Sequence, residues 1–255
     1  MRNLLTLLLF APSFLFSQNR FDGTWQMKMD TLRFSGTPEE YLLEKGMYHC
    51  LTCAPRVDVK ADGTDQKVTG HYFDTIVVRV VDAKSVEFIQ KKDGKTTFAV
   101  IETVSPDGQT MTEEFTNTMG AETIKGKAGF TRVSDGRPGS HALSGKWQMQ
   151  TVKNATRAGT LTTYQSTAGG LKISDGGQSY EVKFDGKDYP AGWDAHATAS
   201  LKVIDDYTIE ETDKQDGKVV VVTLMTVSKD GKSMKVESGD RLRGSTMTYT
   251  AEKQP

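Results

Sequence analysis

Short apolar and β-branched stretches recur along the chain, and Asp-Gly pairs punctuate them. Thr75 to Val81, Thr96 to Val104 and Val219 to Val227 are such stretches. The turns are Asp62-Gly63, Asp93-Gly94 and Asp107-Gly108, then Asp185-Gly186, Asp216-Gly217 and Asp230-Gly231. Asp-Gly tolerates the positive φ angles that tight hairpins need. Turns about ten residues apart, with no helical period sustained over three turns, predict an all-β chain of antiparallel meanders.

The pattern is written twice. Asp82 to Met111 superimposes on Asp205 to Met234 at a shift of 123 residues, with identities that include Glu87, Lys91, Asp93, Gly94, Thr103, Ser105, Asp107 and Met111. Upstream, Trp25-Gln26-Met27 recurs as Trp147-Gln148-Met149. The unit is a domain of roughly 115 residues, large enough to bury its own core. Ser134 to His141 combines Gly and Pro with polar residues and no apolar period, so it reads as a linker. The expected organisation is a leader over 1–17, a first barrel over 18–133, the linker over 134–141 and a second barrel over 142–255.

Comparing the copies settles local ambiguities. Thr37-Pro38-Glu39-Glu40 has the form of a helix cap, but the matching Thr160 to Tyr164 is β-branched. A shared fold therefore predicts a hairpin, with Glu40 to Leu43 and Met47 to Cys50 around Glu44-Lys45-Gly46. Ala199, Leu201 and Val203, like Ile76, Val78 and Val80, alternate with polar or basic neighbours and are expected to face a core. Arg79 and Lys202 then point outward.

Arg2 followed by the apolar run Leu4 to Phe16, closing on the small residue Ser17, has the form of a secretory signal peptide. The run is too short to span a bilayer, and no later segment is long and apolar enough, so no transmembrane segment is expected. No cysteine follows the run, which argues against a lipid anchor. The expected location is periplasmic or secreted. A net charge of −1 with interspersed signs argues against nucleic-acid partners and polybasic membrane binding.

Each copy opens with Gly-x-Trp, as Gly23-Thr24-Trp25 and Gly145-Lys146-Trp147. Each closes with a cation on its last strand, Arg132 and Lys253. This arrangement resembles the lipocalin-like (calycin) up-and-down β-barrels. The resemblance implies that the tryptophan seals one end of the barrel while the late cation lies over its ring. Trp25 is accordingly expected to pair with Arg132, and Trp147 with Lys253. Longer phrases, among them Tyr48-His49-Cys50-Leu51-Thr52-Cys53-Ala54-Pro55 and Phe184-Asp185-Gly186-Lys187-Asp188-Tyr189-Pro190, resemble uncharacterised exported bacterial proteins built from two such repeats. That likeness supports fold and compartment and implies no active site.

Candidate chemistry lies where the copies differ. Cys50 and Cys53 form a C-x-x-C in the first copy alone. Three readings compete: a local disulfide, suited to an oxidising compartment; a redox-active dithiol beside His49; and a metal site drawing on His49 and His71. Aromatic segments follow the first shared turn: His71, Tyr72 and Phe73 in copy one, Tyr189 and Trp193 in copy two. At a barrel mouth these five residues would stack on a ligand. No catalytic motif, phosphate loop or cofactor signature occurs. The favoured function is a non-catalytic exported barrel protein binding a small apolar ligand. The alternatives are a structural or interaction protein of the cell envelope and a thiol-disulfide oxidoreductase acting through Cys50 and Cys53. Oligomeric state is not legible in these residues.

Overall fold

The computed structural model describes residues 19–192 and 195–255, so the expected leader and Trp193 lie outside the described residues. What is described is almost entirely β. The chain begins with β1 (Gly23–Met27), β2 (Arg33–Gly36), β3 (Glu39–Glu44), β4 (Met47–Cys50), β5 (Val57–Lys60), β6 (Gln66–Lys67) and β7 (Thr75–Val80). It continues with β8 (Ser85–Lys92), β9 (Lys95–Val104), β10 (Thr110–Asn117), β11 (Ile124–Asp135), β12 (Gly145–Lys153), β13 (Leu161–Thr167) and β14 (Gly170–Asp175). The last strands are β15 (Gln178–Lys183), β16 (Tyr189–Pro190), β17 (Ala197–Val203), β18 (Thr208–Gln215), β19 (Lys218–Val227), β20 (Ser233–Asp240) and β21 (Ser245–Lys253).

The turn chemistry works as the residue types require. Lys45-Gly46, Asp93-Gly94 and Asp216-Gly217 place both central residues at positive φ, the conformation that matches the twist of a two-residue hairpin. The segment around Glu44 is the expected hairpin, with Tyr41 opposite Cys50 and Glu44 opposite Met47. Alternation sets the faces: Ala199, Leu201, Ile76 and Val78 are buried. Val80 and Val203 depart from that expectation, at 42% and 51% exposed, because both strands run past the end of the core. Arg79 lies outside and pairs with Glu87 at 2.6 Å.

The strands form two antiparallel, nearly closed barrels, but the barrels do not coincide with the sequence repeats. One sheet runs β5-β4-β3-β12-β11-β10-β9-β8-β7-β6, and the other β15-β14-β13-β1-β21-β20-β19-β18-β17-β16. The opening strand of each repeat is therefore built into the other repeat's barrel. β1 lies between β21 and β13, and β12 lies between β11 and β3. The first barrel is continuous from β3 to β12. The second is closed by β1, donated from the far end of the chain. The expected boundaries at 133 and 142 are corrected accordingly: residues 145–153 belong to the first barrel, and residues 23–27, with β2 (Arg33–Gly36) paired to β21, to the second.

The tryptophan–cation pairs are exchanged with the strands. The Arg132 guanidinium lies 4.0 Å from the ring centre of Trp147, and the Lys253 ammonium 5.3 Å from that of Trp25. The expected pairs, Trp25 with Arg132 and Trp147 with Lys253, are thus wrong in partner though right in residue type. Both indoles are buried, and each donates its N–H to a carbonyl four residues back, Trp25 to Phe21 at 2.7 Å and Trp147 to Leu143 at 2.8 Å. Arg132 also donates to the carbonyls of Ser144 and Ala142, both at 2.7 Å. Ala142 and Ser144 lie just past the expected linker, and the linker itself is tied to the first barrel where His141 donates its N–H to the Leu43 carbonyl at 2.9 Å. Gly145 shows why the motif begins with glycine: its φ is +125°, and a Cβ there would lie 2.4 Å from the Ser134 carbonyl oxygen.

Exchange has a direct consequence for stability. Truncating a buried tryptophan to alanine costs about 3–5 kcal/mol. Trp25→Ala is expected to lower hydrogen-exchange protection chiefly in residues 197–253, with a smaller effect on residues 75–135. Loss confined to 75–135 would contradict the exchanged arrangement.

Candidate functional site

Neither barrel is filled by its side chains. A solvent-open cavity of about 260 Å³ lies in the first and one of about 390 Å³ in the second. Both are bordered by apolar and aromatic residues, and both also contain carboxyl groups.

In the first barrel the carboxyl groups come from β3, β9 and β10. Phe98, Val100, Glu102 and Val104 share the inward face of β9, while Met111, Glu113 and Phe115 share that of β10. Glu102 and Glu113 are direct cross-strand partners. Two like charges placed opposite each other in a core are strongly unfavourable, so at least one must carry a proton. Burial pushes the carboxyl of Glu102 well above its usual range, and neighbouring Glu113 and Glu39 push it further. Burial, then Glu39, raises Glu113 to about 8. Glu102 is 5% exposed, and its Oε2 has no hydrogen-bond partner. Tyr41 donates to Glu39 beside this pair.

The sequence-predicted aromatics of copy one do border this cavity. His71, Tyr72 and Phe73 line it together with Cys50 and Cys53. His71 stacks on Phe73 at 4.9 Å, and Tyr72 donates to Gln90 Oε1 at 2.6 Å. Burial, and then the charge of Arg243, lowers the His71 pKa. The C-x-x-C is a disulfide between Cys50 and Cys53. Cys50 is 3% exposed, so its sulfur belongs to the wall. His49 contacts Asp58 instead of completing a metal set, and no cluster able to hold a metal ion occurs among the described residues.

In the second barrel the carboxyl groups lie on other strands. Ile209, Glu211 and Asp213 follow one another on the inward face of β18, and Asp175 ends β14. Burial and then Asp213 raise Glu211 to about 8, and burial brings Asp213 and Asp175 each to about 6. Tyr180 donates its hydroxyl to Glu211, and Tyr164 and Tyr249 border the same space. Tyr189 does not join them: its hydroxyl donates to Asp185 Oδ2 at 3.0 Å. In the repeat alignment Glu211 corresponds to buried Phe88 and Glu102 to buried Met225. Glu102, Glu113 and Glu211 therefore each align with an apolar residue of the other copy.

Each barrel is also covered by a hairpin of the other. The β10–β11 turn brings Met119 to the second cavity, and Ala121 donates its N–H to Gly177. Gly120 packs so closely there that a Cβ would lie 1.8 Å from the Gly176 oxygen. The equivalent β20–β21 turn brings Arg243 to the first cavity. A groove of about 270 Å³ between the barrels shares Glu39, Thr52 and Arg243 with that cavity.

Sequence reasoning missed the buried acids, although a signal was present: each of Glu102, Glu113 and Glu211 occupies the inward phase of an alternating strand. The chain matches no protein-family model, no curated protein and no solved structure.

The raised carboxyl groups link stability to pH. Below the unfolded-state value both states are protonated and the contribution is fully present. Between about 4.5 and 8 the folded protein retains protons on Glu113 and Glu211 that the unfolded chain releases, so stability falls as pH rises. Glu113→Gln and Glu211→Gln are each expected to flatten the decline of the unfolding free energy across this window, by on the order of 1 kcal/mol per pH unit, as read from denaturant titrations. A slope unchanged in both variants would contradict burial of these acids in neutral form.

Proposed function

We propose that the protein is an exported, non-catalytic binding protein that holds a small molecule inside its barrels. The observation that carries this reading is the pair of interior cavities, about 260 and 390 Å³. A barrel serving only as a spacer or an interaction surface gains by filling its interior, because unfilled volume forfeits packing energy. Small-molecule sites are concave and mostly apolar, with a few placed polar groups. The second cavity fits that description more closely, while the wall of the first is more polar than apolar; each has aromatic residues and three carboxyl groups in its lining. The ligand is consequently amphipathic, one apolar body with a polar end, in place of the wholly apolar molecule expected from the sequence.

Export is supported by the signal-like character of residues 1–17, and the Cys50–Cys53 bond is compatible with an oxidising compartment. Among the described residues no helix is long and apolar enough to cross a membrane. A thiol-disulfide exchange role is less well supported, because Cys50 is buried in the barrel wall and only Cys53 of the pair is partly exposed.

Native mass spectrometry of the mature protein is expected to show a noncovalent small-molecule adduct, lost on denaturation. Val100→Trp, which fills the first cavity, is expected to reduce that adduct at least tenfold if its folded far-ultraviolet spectrum is kept. No adduct, either from the producing cell or after incubation with a fragment mixture, would contradict the reading.

A further inference from the structure

We propose that the first barrel selects a ligand with a protonated amine on an apolar, ring-sized body, and that Glu102 and Glu113 receive the amine. This rests on the binding reading above and specifies its ligand class. Three observations support it. The inner wall presents acceptors in excess: Glu39, Glu102 and Glu113 border the cavity, and Glu102 Oε2 is buried without a partner. A buried polar atom without a partner costs roughly 1–3 kcal/mol, and a ligand donor removes that cost. The apolar body has a matching bed in Phe88, Phe98, Val100 and Tyr48. Finally, the acids do not gather into a group able to hold a metal ion among the described residues, so an organic cation is the better match.

The groups that face the acid pair are known from every neighbouring element. β3 supplies Glu39 and Tyr41, β4 supplies Tyr48, and the segment before β7 supplies His71. The one permanent cation bordering the cavity among the described residues is Arg243, which reaches over from the second barrel and is itself 3.9 Å from Asp240. Its side chain is about half exposed and its charge acts on Tyr48, His71 and Tyr72, not on Glu102 or Glu113, so the inner acids remain uncompensated. Without ligand the pair stays neutral by holding protons. An ammonium entering the cavity replaces that arrangement: one glutamic acid releases its proton to solvent, and the resulting carboxylate accepts hydrogen bonds from the N–H groups. No other bond changes.

The second barrel differs in the position of its acids and in its cover, where Met119 occupies the place that Arg243 takes over the first. The repeats have kept the architecture and separated the recognition.

The test uses calorimetric titration of the full mature chain with 2-phenylethylamine and with 2-phenylethanol, its neutral counterpart. The amine is expected to bind at least tenfold more tightly, with about one proton released, read from titrations in two buffers of different ionisation enthalpy. Glu102→Gln and Glu113→Gln are each expected to reduce the amine-over-alcohol preference roughly tenfold and to abolish proton release. Equal affinity for the two probes, or a preference that survives both substitutions, would overturn the amine assignment and leave the cavity as a binding site. Failure of both probes, while a native adduct is still displaced by Val100→Trp, would also overturn only the amine assignment. Failure of both probes with no native adduct would overturn the binding reading as well.

Discussion

The exchange of opening strands is the constraint on which the rest of this structure depends. A sheet of this kind must close to remove its edges, and here each barrel closes on a strand that belongs to the other repeat. Trp25 under Lys253 and Trp147 under Arg132 are the locks of that closure. Each lock combines a buried indole, a hydrogen bond to a carbonyl four residues back and a cation over the ring. Because Trp25 is near the start of the described chain and Lys253 near its end, the second barrel cannot close until most of the chain has been made.

The same exchange positions the cavities. The chain must cross from one barrel to the other after β2, which still pairs with β21, and again after β12, and these crossings hold the barrels side by side. The β10–β11 and β20–β21 turns then reach across to the neighbouring interior, one with Met119 and the other with Arg243. A single duplication thus supplies two similar containers with different covers. Their inner acids differ as well: Glu102 and Glu113 face each other across adjacent strands, whereas Glu211 and Asp213 follow one another along a single strand. In both cases burial raises the pKa of the carboxyl groups, and Glu113 and Glu211, at about 8, stay largely neutral at pH 7, while Asp213 is raised only to about 6.

Much of the fold was legible in the residues. Asp-Gly spacing marked the hairpins, alternation marked the buried faces, and the repeat reduced a choice between helix and hairpin at Glu40 to Leu43 to a comparison of two copies. What the repeat could not show was which barrel each opening strand enters. Trp25 and Trp147 sit in the same local sequence and make the same local hydrogen bond. Either closure satisfies the pattern, and only the crossings at Thr37–Pro38 and Asn154–Thr160 decide between them. His71, Tyr72 and Phe73 border a cavity, whereas Tyr189 does not. The acids escaped notice because the chain holds 33 Asp and Glu residues, and composition conceals the few that fall on an inward phase. Phase within a strand, compared between the copies, carries that information.

The central claim is that the barrels are built around buried neutral acids that await a ligand. Carbon-detected NMR titration of the glutamate carboxyl groups measures this directly. The account predicts that Glu113 and Glu211 titrate toward about 8, with Glu102 still protonated at neutral pH. Titration of all three in the ordinary carboxylate range, near 4.5, would contradict it.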